Sequence, residues 1–377
     1  MTWPGSISSA GVASGIKDAG ALDVGVLVAP APVSWAGTFT KNAAAAACVG
    51  WCRERLGSKV RAIVVNSGNA NACTGPAGRQ AVESVAEAAA RELGCSPDEI
   101  LIASTGPIGV ELPTVLVTDA LGSAVASLSP STTTFARAII TTDTHTKAAS
   151  AQAGPATVVG IAKGAAMVAP NMATMLAFLV TDAAVPESDL QPLLTTAVGQ
   201  SFDRISVDAC ESTNDSVFLL AGGTVTCTSA QLAAAVRSVC ADLAEQIVRD
   251  AEGASKFVRI QVTGARDELS AVAAGRAVAG SALWKAAMFG ADPNWGRVLS
   301  SLGRDRALDI EEVSIAIGSE LVFDHGAPSG SVEAAGKAME GDEFTVACVL
   351  GRGPGNAEVL TCDLTPDYVV LNAGGST

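Results

Sequence analysis

The sequence predicts a mixed α and β protein built in layers, and three observations carry that prediction. Apolar residues recur at helical spacing in long stretches. Short β-type apolar runs alternate with them, and turn-forming Asn, Gly and Pro separate the two. The 377 residues suffice to bury a core and fit two domains or one large unit, with no sharp boundary visible. Aromatics make up only 4%, so the core must rest on Ala, Val, Leu and Ile, which pack elements closely.

Taken in order, Ala62–Val65 reads as a strand running into Asn66–Gly75, whose Asn and Gly density implies turns with positive φ. Ala43–Ala47 reads as a close-packed helix. Pro76 opens a helix with Val82, Val85, Ala86, Ala89 and Leu93 on one face, and Ile100–Ala103 is a strand ending in Ser104-Thr105-Gly106. Ser127–Thr134 is loop-like. Thr157–Ile161 and Met175–Val180 read as strands. Ser188–Phe202 and Ser229–Asp250 read as helices, the second with Ser229 as N-cap. Phe257–Val262 alternates as a strand should, and further strands are expected near Val313–Ile317, Phe344–Leu350, Val359–Leu364 and Tyr368–Leu371. Gly164–Thr181 is uncharged and long enough to cross a membrane, but Pro170 and Asn171 near its middle favour a buried turn feeding a buried strand.

Composition excludes several kinds of function. The net charge of −14 argues against a general nucleic-acid binder or a protein drawn to anionic membranes. Charged residues are only 16%, and His145 and His325 are the two histidines. A three-His zinc site is therefore impossible in one chain, and no metal is expected. A catalytic base other than histidine is the natural expectation. The nine cysteines form no CxxC pair and read as reduced, buried thiols. Cys210, beside Asp208 and Glu211, reads as structural or pocket-lining, because carboxylates disfavour its thiolate. The first residues show no basic-then-apolar leader, so the cytoplasm is the expected compartment.

The chemistry concentrates at Lys163-Gly-Ala-Ala-Met-Val-Ala-Pro-Asn-Met-Ala173-Thr174. A Thr hydroxyl is a poor nucleophile without an adjacent base. Cleaving the chain just before Thr174 would free an α-amine with a pKa of roughly 7.7–8.0, suited to that task. From spacing alone, a Thr that merely begins a buried strand is the more ordinary reading.

This segment resembles the cleavage signature of the ornithine acetyltransferase family (glutamate N-acetyltransferases of the cyclic arginine pathway). The resemblance spans nearly the whole chain. GVASGIK from Gly11, FTKN from Phe39, NSGNANACTG from Asn66, IASTGPIG from Ile102, TTDT from Thr141, DAEGASK from Asp250, FGADPNWGR from Phe289 and NAGGST from Asn372 stand in the family's order.

The resemblance implies a self-processing α/β fold with an N-terminal threonine nucleophile. Cleavage would fall at Ala173–Thr174, giving an α chain of residues 1–173 and a β chain of residues 174–377 that assemble as a heterotetramer. Thr174 would take the acetyl group from N-acetylornithine as an ester and pass it to glutamate. Thr105 and Gly106 match the oxyanion pair. Thr141, Lys163, Glu252, Asn372 and Thr377 match substrate contacts, with Lys163 suited to a carboxylate and Glu252 to an amino group. No bound cofactor is implied, though acetyl-CoA serves some members as an acetyl donor. Ala209-Cys210-Glu211 departs from the family's Gly-Asp-Thr, Gly374-Gly375-Ser376 from a bulkier tail, and Pro107 from an aliphatic. A relative with a different amine acceptor in a secondary-metabolite pathway, and an amidohydrolase with the same nucleophile, therefore stay open.

Overall fold

The computed structural model describes residues 1–168 and 175–374. Two sheets organise them. The first contains β1 (Ser8–Val12), β2 (Val24–Phe39), β3 (Val60–Ser67), β4 (Ile100–Thr105), β5 (Lys147–Ala153), β6 (Ala156–Lys163), β7 (Leu176–Ala184) and β9 (Ser216–Thr226); β8 (Ile205–Ser206) belongs to the second. Its strand order is β4-β3-β2-β9-β7-β6-β5, with β1 also paired to β2.

The long strand β2 is shared by both halves of this sheet. Val24–Val28 pairs with β3 and Ser34–Phe39 pairs with β9, with a register shift between Val28 and Val33. Pro30 and Pro32 fall in that shift, where neither is asked for a ladder N–H. Between the halves, Phe135 packs edge-on to Phe178, which stacks on Phe218.

The second sheet adds β10 (Phe257–Ala265), β11 (Ser314–Ile317), β12 (Glu320–Asp324), β13 (Ala327–Pro328), β14 (Glu343–Val349) and β15 (Gly355–Cys362), in the order β13-β12-β11-β14-β10-β15-β8. Helices cover both sheets. They are α1 (Ala47–Arg53), α2 (Gly75–Leu93), α3 (Thr114–Ala126), α4 (Thr133–Ile139), α5 (Glu187–Gly199), α6 (Ser229–Arg249), α7 (Glu268–Ala279), α8 (Ala282–Phe289), α9 (Trp295–Leu302), α10 (Val332–Ala338) and α11 (Pro366–Ala373). The mixed α/β layering is therefore as expected.

The apolar stripes of α2 and α6 face the core: Val82, Val85, Ala86 and Ala89 are buried, as are Leu232, Val236, Val239, Leu243 and Ile247. Four expectations need correction. Tyr368–Leu371 is helical, because Thr365 caps the turn through the Tyr368 amide and Pro366 sits at the first helical position. Ala43–Ala46 is not helical, since Asn42 draws the Ala44 amide and Thr213 draws the Ala46 amide away from a helix. The N-cap of α6 is Thr228, which forms a capping box with Gln231. Of the nine free thiols, Cys48, Cys52, Cys240, Cys348 and Cys362 are buried, but Cys73, Cys95, Cys210 and Cys227 are not. No helix of the described residues is long and apolar enough to cross a membrane.

Candidate active site

The end of β4 supplies the first groups. Thr105 is its last residue, opposite Ser67 of β3, and is buried. Gly106 follows with φ +140°. A Cβ there would lie 2.4 Å from the Asn69 amide nitrogen, so the chain passes too closely for a side chain. Asn69 in turn donates its backbone N–H to the Thr105 carbonyl at 3.0 Å.

Lys163 ends β6, and its ammonium reaches back to Thr105 Oγ1 at 3.2 Å and Thr141 Oγ1 at 2.9 Å. It is only 2% exposed. Burial pulls its pKa below the ordinary lysine value; Asp143 opposes that pull and Lys147 adds to it. Because Lys163 donates to the Thr105 oxygen, the Thr105 hydroxyl proton is left to serve another acceptor.

Asp143 organises this corner. Its Oδ1 accepts the Gly164 amide at 2.7 Å and the Lys147 ammonium at 2.6 Å, while Oδ2 accepts the Thr141 amide. Burial works against its ionisation, but Lys163, Lys147 and the Gly164 amide together hold the carboxyl below the usual range. On the far side of Lys147, Asp250 lies 2.5 Å from the same ammonium.

Two residues beyond Asp250, the Glu252 amide binds the Ala165 carbonyl at 2.9 Å, which ties Glu252 to the Lys163 loop. Glu252 is buried; its Oε2 accepts from Asn372 at 2.9 Å, and its Oε1 has no hydrogen-bond partner among the described residues. Helix α11 carries Asn372 close to Glu252 because Gly253, at φ +65°, lacks the Cβ that would strike the Tyr368 amide. Thr365 closes the contact by donating to the Gly253 carbonyl.

Two further aspartates grip the backbone on either side of residues 169–174. Asp208 accepts from the amides of Met167 at 2.6 Å and Val168 at 3.0 Å. Asp215, fully buried, accepts the Met175 amide at 3.0 Å. Burial pushes the Asp215 carboxyl well above the carboxylate range. The Ser212 hydroxyl is close enough to ease that shift, yet Oδ2 has no partner of hydrogen-bond geometry among the described residues. Asn214 donates to the Ser104 and Ala70 carbonyls and so docks this strand start against Thr105.

The structure thus brings Thr105, Gly106, Thr141, Lys163, Glu252 and Asn372 into one site. Ala173, Thr174 and Thr377 lie outside the described residues. Asp143, Lys147, Asp208, Asp215 and Asp250 escaped sequence reasoning. Asp143 and Asp250 stand inside quoted motifs, but nothing in their spacing shows that one lysine joins them. Cys210 is exposed; partial shielding from solvent, and then the Asp208 carboxylate, push its thiol pKa up, which agrees with the expected disfavoured thiolate, while its exposure gives it no structural place in the core. His145 lies 3.2 Å from Asp250, and His325 occupies an exposed turn. A cleft of about 500 Å³ between α1 and the start of α2 lies away from these residues. Its buried Asn71 is already satisfied by Gly78 and Thr74, so that group is not poised for a ligand.

The ArgJ family model matches residues 8–377. The arginine biosynthesis bifunctional protein ArgJ of Thermus thermophilus is 43% identical over 373 residues, covering 96% of this chain and 95% of that protein. A crystal structure of the corresponding protein from Bacillus halodurans is 37% identical with a TM-score of 0.50, covering 52% of this chain and 98% of that one. An ornithine acetyltransferase from Mycobacterium tuberculosis, solved in complex with ornithine, is 34% identical, with a TM-score of 0.40 and coverage of 44% and 92%.

Proposed function

The chain belongs to the ArgJ family, and on that premise we propose that it is a self-cleaving acyltransferase carrying an acetyl group from N-acetylornithine to glutamate, within arginine biosynthesis. The observation that carries the substrate reading is the presence of two opposite buried charges in one site. Lys163 stands beside the oxyanion pair, and Glu252, tied to the segment after Lys163, keeps one buried oxygen without a partner among the described residues. A buried carboxylate oxygen without a donor is costly unless a ligand fills it, and an ammonium is the natural complement. Lys163 complements a carboxylate. Together they fit an amino acid.

In this reading Thr174 is the nucleophile. Cleavage at Ala173–Thr174 divides the molecule into residues 1–173 and 174–377, and the freed α-amine of Thr174 takes the hydroxyl proton. The Thr174 oxygen attacks the acetyl carbonyl. The Thr105 hydroxyl and the Gly106 N–H stabilise the oxyanion, and Lys163 enhances the Thr105 donor by occupying its lone pair. Ornithine leaves with the proton, and glutamate reverses the steps. The clamps on Met167, Val168 and Met175 support cleavage, because they fix the chain on both sides of the scissile bond. The Bacillus halodurans chain, matched over 98% of itself but over only 52% of this one, fits a mature enzyme of two chains. Thr377 would complete the substrate contacts. The reaction as drawn needs no bound cofactor; acetyl-CoA is a chemically competent second donor. We place the enzyme in the cytoplasm as a heterotetramer of two α and two β chains.

Intact-mass measurement under denaturing conditions tests this. Two fragments joining at residues 173 and 174 are expected, and N-acetylornithine should add one acetyl group to the fragment beginning at Thr174. Glutamate should then remove it. An uncut wild-type chain, or acetate release that ignores the amine acceptor, would refute the reading.

A further inference from the structure

The charge pair that would read the amino acid is itself held by a third group, Lys147. It opens β5 opposite Ala162 of β6, next to Lys163, and its side chain is fully buried. Its ammonium lies 2.6 Å from Asp143 and 2.5 Å from Asp250. Asp143 fixes the amide of Thr141, in the loop after α4, and the amide of Gly164, directly after Lys163 at the end of β6. Asp250 fixes Thr144 through its amide and hydroxyl and lies two residues ahead of Glu252. Lys147 is therefore the node between the Lys163 loop and the Glu252 loop, although no polar contact joins it directly to either residue.

We propose that Lys147 is a positioning residue that sets the spacing between Lys163 and Glu252, and so sets the preference for ligands bearing both a carboxylate and an ammonium. The proposal rests on the reading of Lys163 and Glu252 given above. Its physical basis is electrostatic. Without the ammonium, two buried carboxylates that now share one cation face each other, and like charges in a low-dielectric interior repel. The loops they anchor must part until one carboxyl takes up a proton. A proton held between the two carboxyls would draw the loops together again, so the defect should shrink as pH falls. The charged groups that bear on this pair are Lys163 and Lys17 near Asp143, His145 on the other oxygen of Asp250, and Glu252 beyond Lys163. All of them remain in the variant, so the effect is read as a ratio to wild type.

The test is calorimetric binding of ornithine and of putrescine, which is ornithine without its carboxylate, to the purified full protein. Wild type should prefer ornithine; a wild type with no such preference refutes the functional reading rather than the role of Lys147. In Lys147→Met, ornithine affinity should fall at least about tenfold at about pH 8, the worth of one misplaced hydrogen bond to a charged group, while putrescine affinity changes little. The loss should be smaller at about pH 6. The double variant K147M/D250N removes one charge of each sign, leaves Asp143 its Thr141 and Gly164 amides, keeps an acceptor for the Thr144 amide and offers an amide donor to the Thr144 hydroxyl. It should recover most of the preference and lose the pH dependence, and it carries the test if the single variant fails to fold. Equal loss for both ligands at both pH values, unchanged preference in Lys147→Met, or a folded double variant that binds ornithine no more tightly than putrescine would each overturn the proposal.

Discussion

Gly106→Ala separates the oxyanion role from a mere turn. The added Cβ would stand 2.4 Å from the Asn69 nitrogen, 2.5 Å from the Gly68 carbonyl carbon and 3.0 Å from the Asn69 Cα, against 3.4 Å for ordinary contact. Asn69 is poorly placed to yield. Its side chain donates to the Val110 and Glu111 carbonyls and accepts the Asn71 amide. Relief therefore falls on residue 106, whose backbone must move by about 1 Å, while an oxyanion donor works within about 2.7–3.1 Å of its target. The expected cost is about 10²–10³ in kcat. The positive φ adds strain of about 1–3 kcal/mol, which should lower Tm without unfolding a chain of this size. The assay is transfer of acetyl from N-acetylornithine to glutamate by the cleaved variant, with circular dichroism confirming the fold. A folded variant with kcat within about threefold of wild type would refute the oxyanion assignment.

Two other substitutions probe separate parts of the site. Glu252→Gln keeps the Asn372 contact but removes the charge, so KM for N-acetylornithine should rise about tenfold to a hundredfold, the worth of one charged hydrogen bond, with kcat less affected; an unchanged KM removes Glu252 from the substrate. Asp215→Asn tests the buried carboxyl. Because burial raises its folded-state pKa, the folded chain binds a proton more tightly than the unfolded one. Wild-type stability should therefore fall as pH rises from the unfolded value of about 3.9. The variant retains an acceptor for the Met175 amide and escapes that loss, so its Tm advantage should grow from about pH 4 upward. A difference that ignores pH contradicts this.

Sequence reasoning succeeded where one element decides its own structure. Helices α2 and α6 and strand β10 each show their buried face in their own periodicity, and Val258, Ile260 and Val262 are buried as the alternation requires. It failed where distant groups decide. The Val369-Val370-Leu371 run has β-type composition, yet these residues lie exposed on α11 because Thr365 and Pro366 start a helix. Strand β2 was obscured by its two prolines, which become harmless only at the shift between its two partners. In the site, the motif residues were legible because each sits in a motif. Lys147 between Asp143 and Asp250 was not, since a contact across 103 residues leaves no local pattern.

The sheet topology also decides what cleavage can do to the molecule. Strands β7 and β9 follow residue 174, yet they lie between β2 and β6, which precede it. Phe39 pairs with Ser216 on one side and Lys163 with Leu176 on the other, so the proposed β chain contributes the middle of a sheet whose flanks belong to the α chain. Leu176, Phe178, Leu179, Val180, Val217, Phe218, Leu219 and Leu220 on these strands are all buried. At about 1.5–3 kcal/mol each, their burial is worth on the order of 12–24 kcal/mol as an upper figure. Holding two separate chains together costs roughly 4–15 kcal/mol, so this one sheet covers most or all of that cost before the remaining contacts are counted. The cut chain should accordingly elute as one particle in size-exclusion chromatography, with both fragments in the same peak. They should separate only in denaturant, at the concentration where circular dichroism reports loss of the fold. Fragments that part under native conditions would show that β7 and β9 do not sit between β2 and β6 as described.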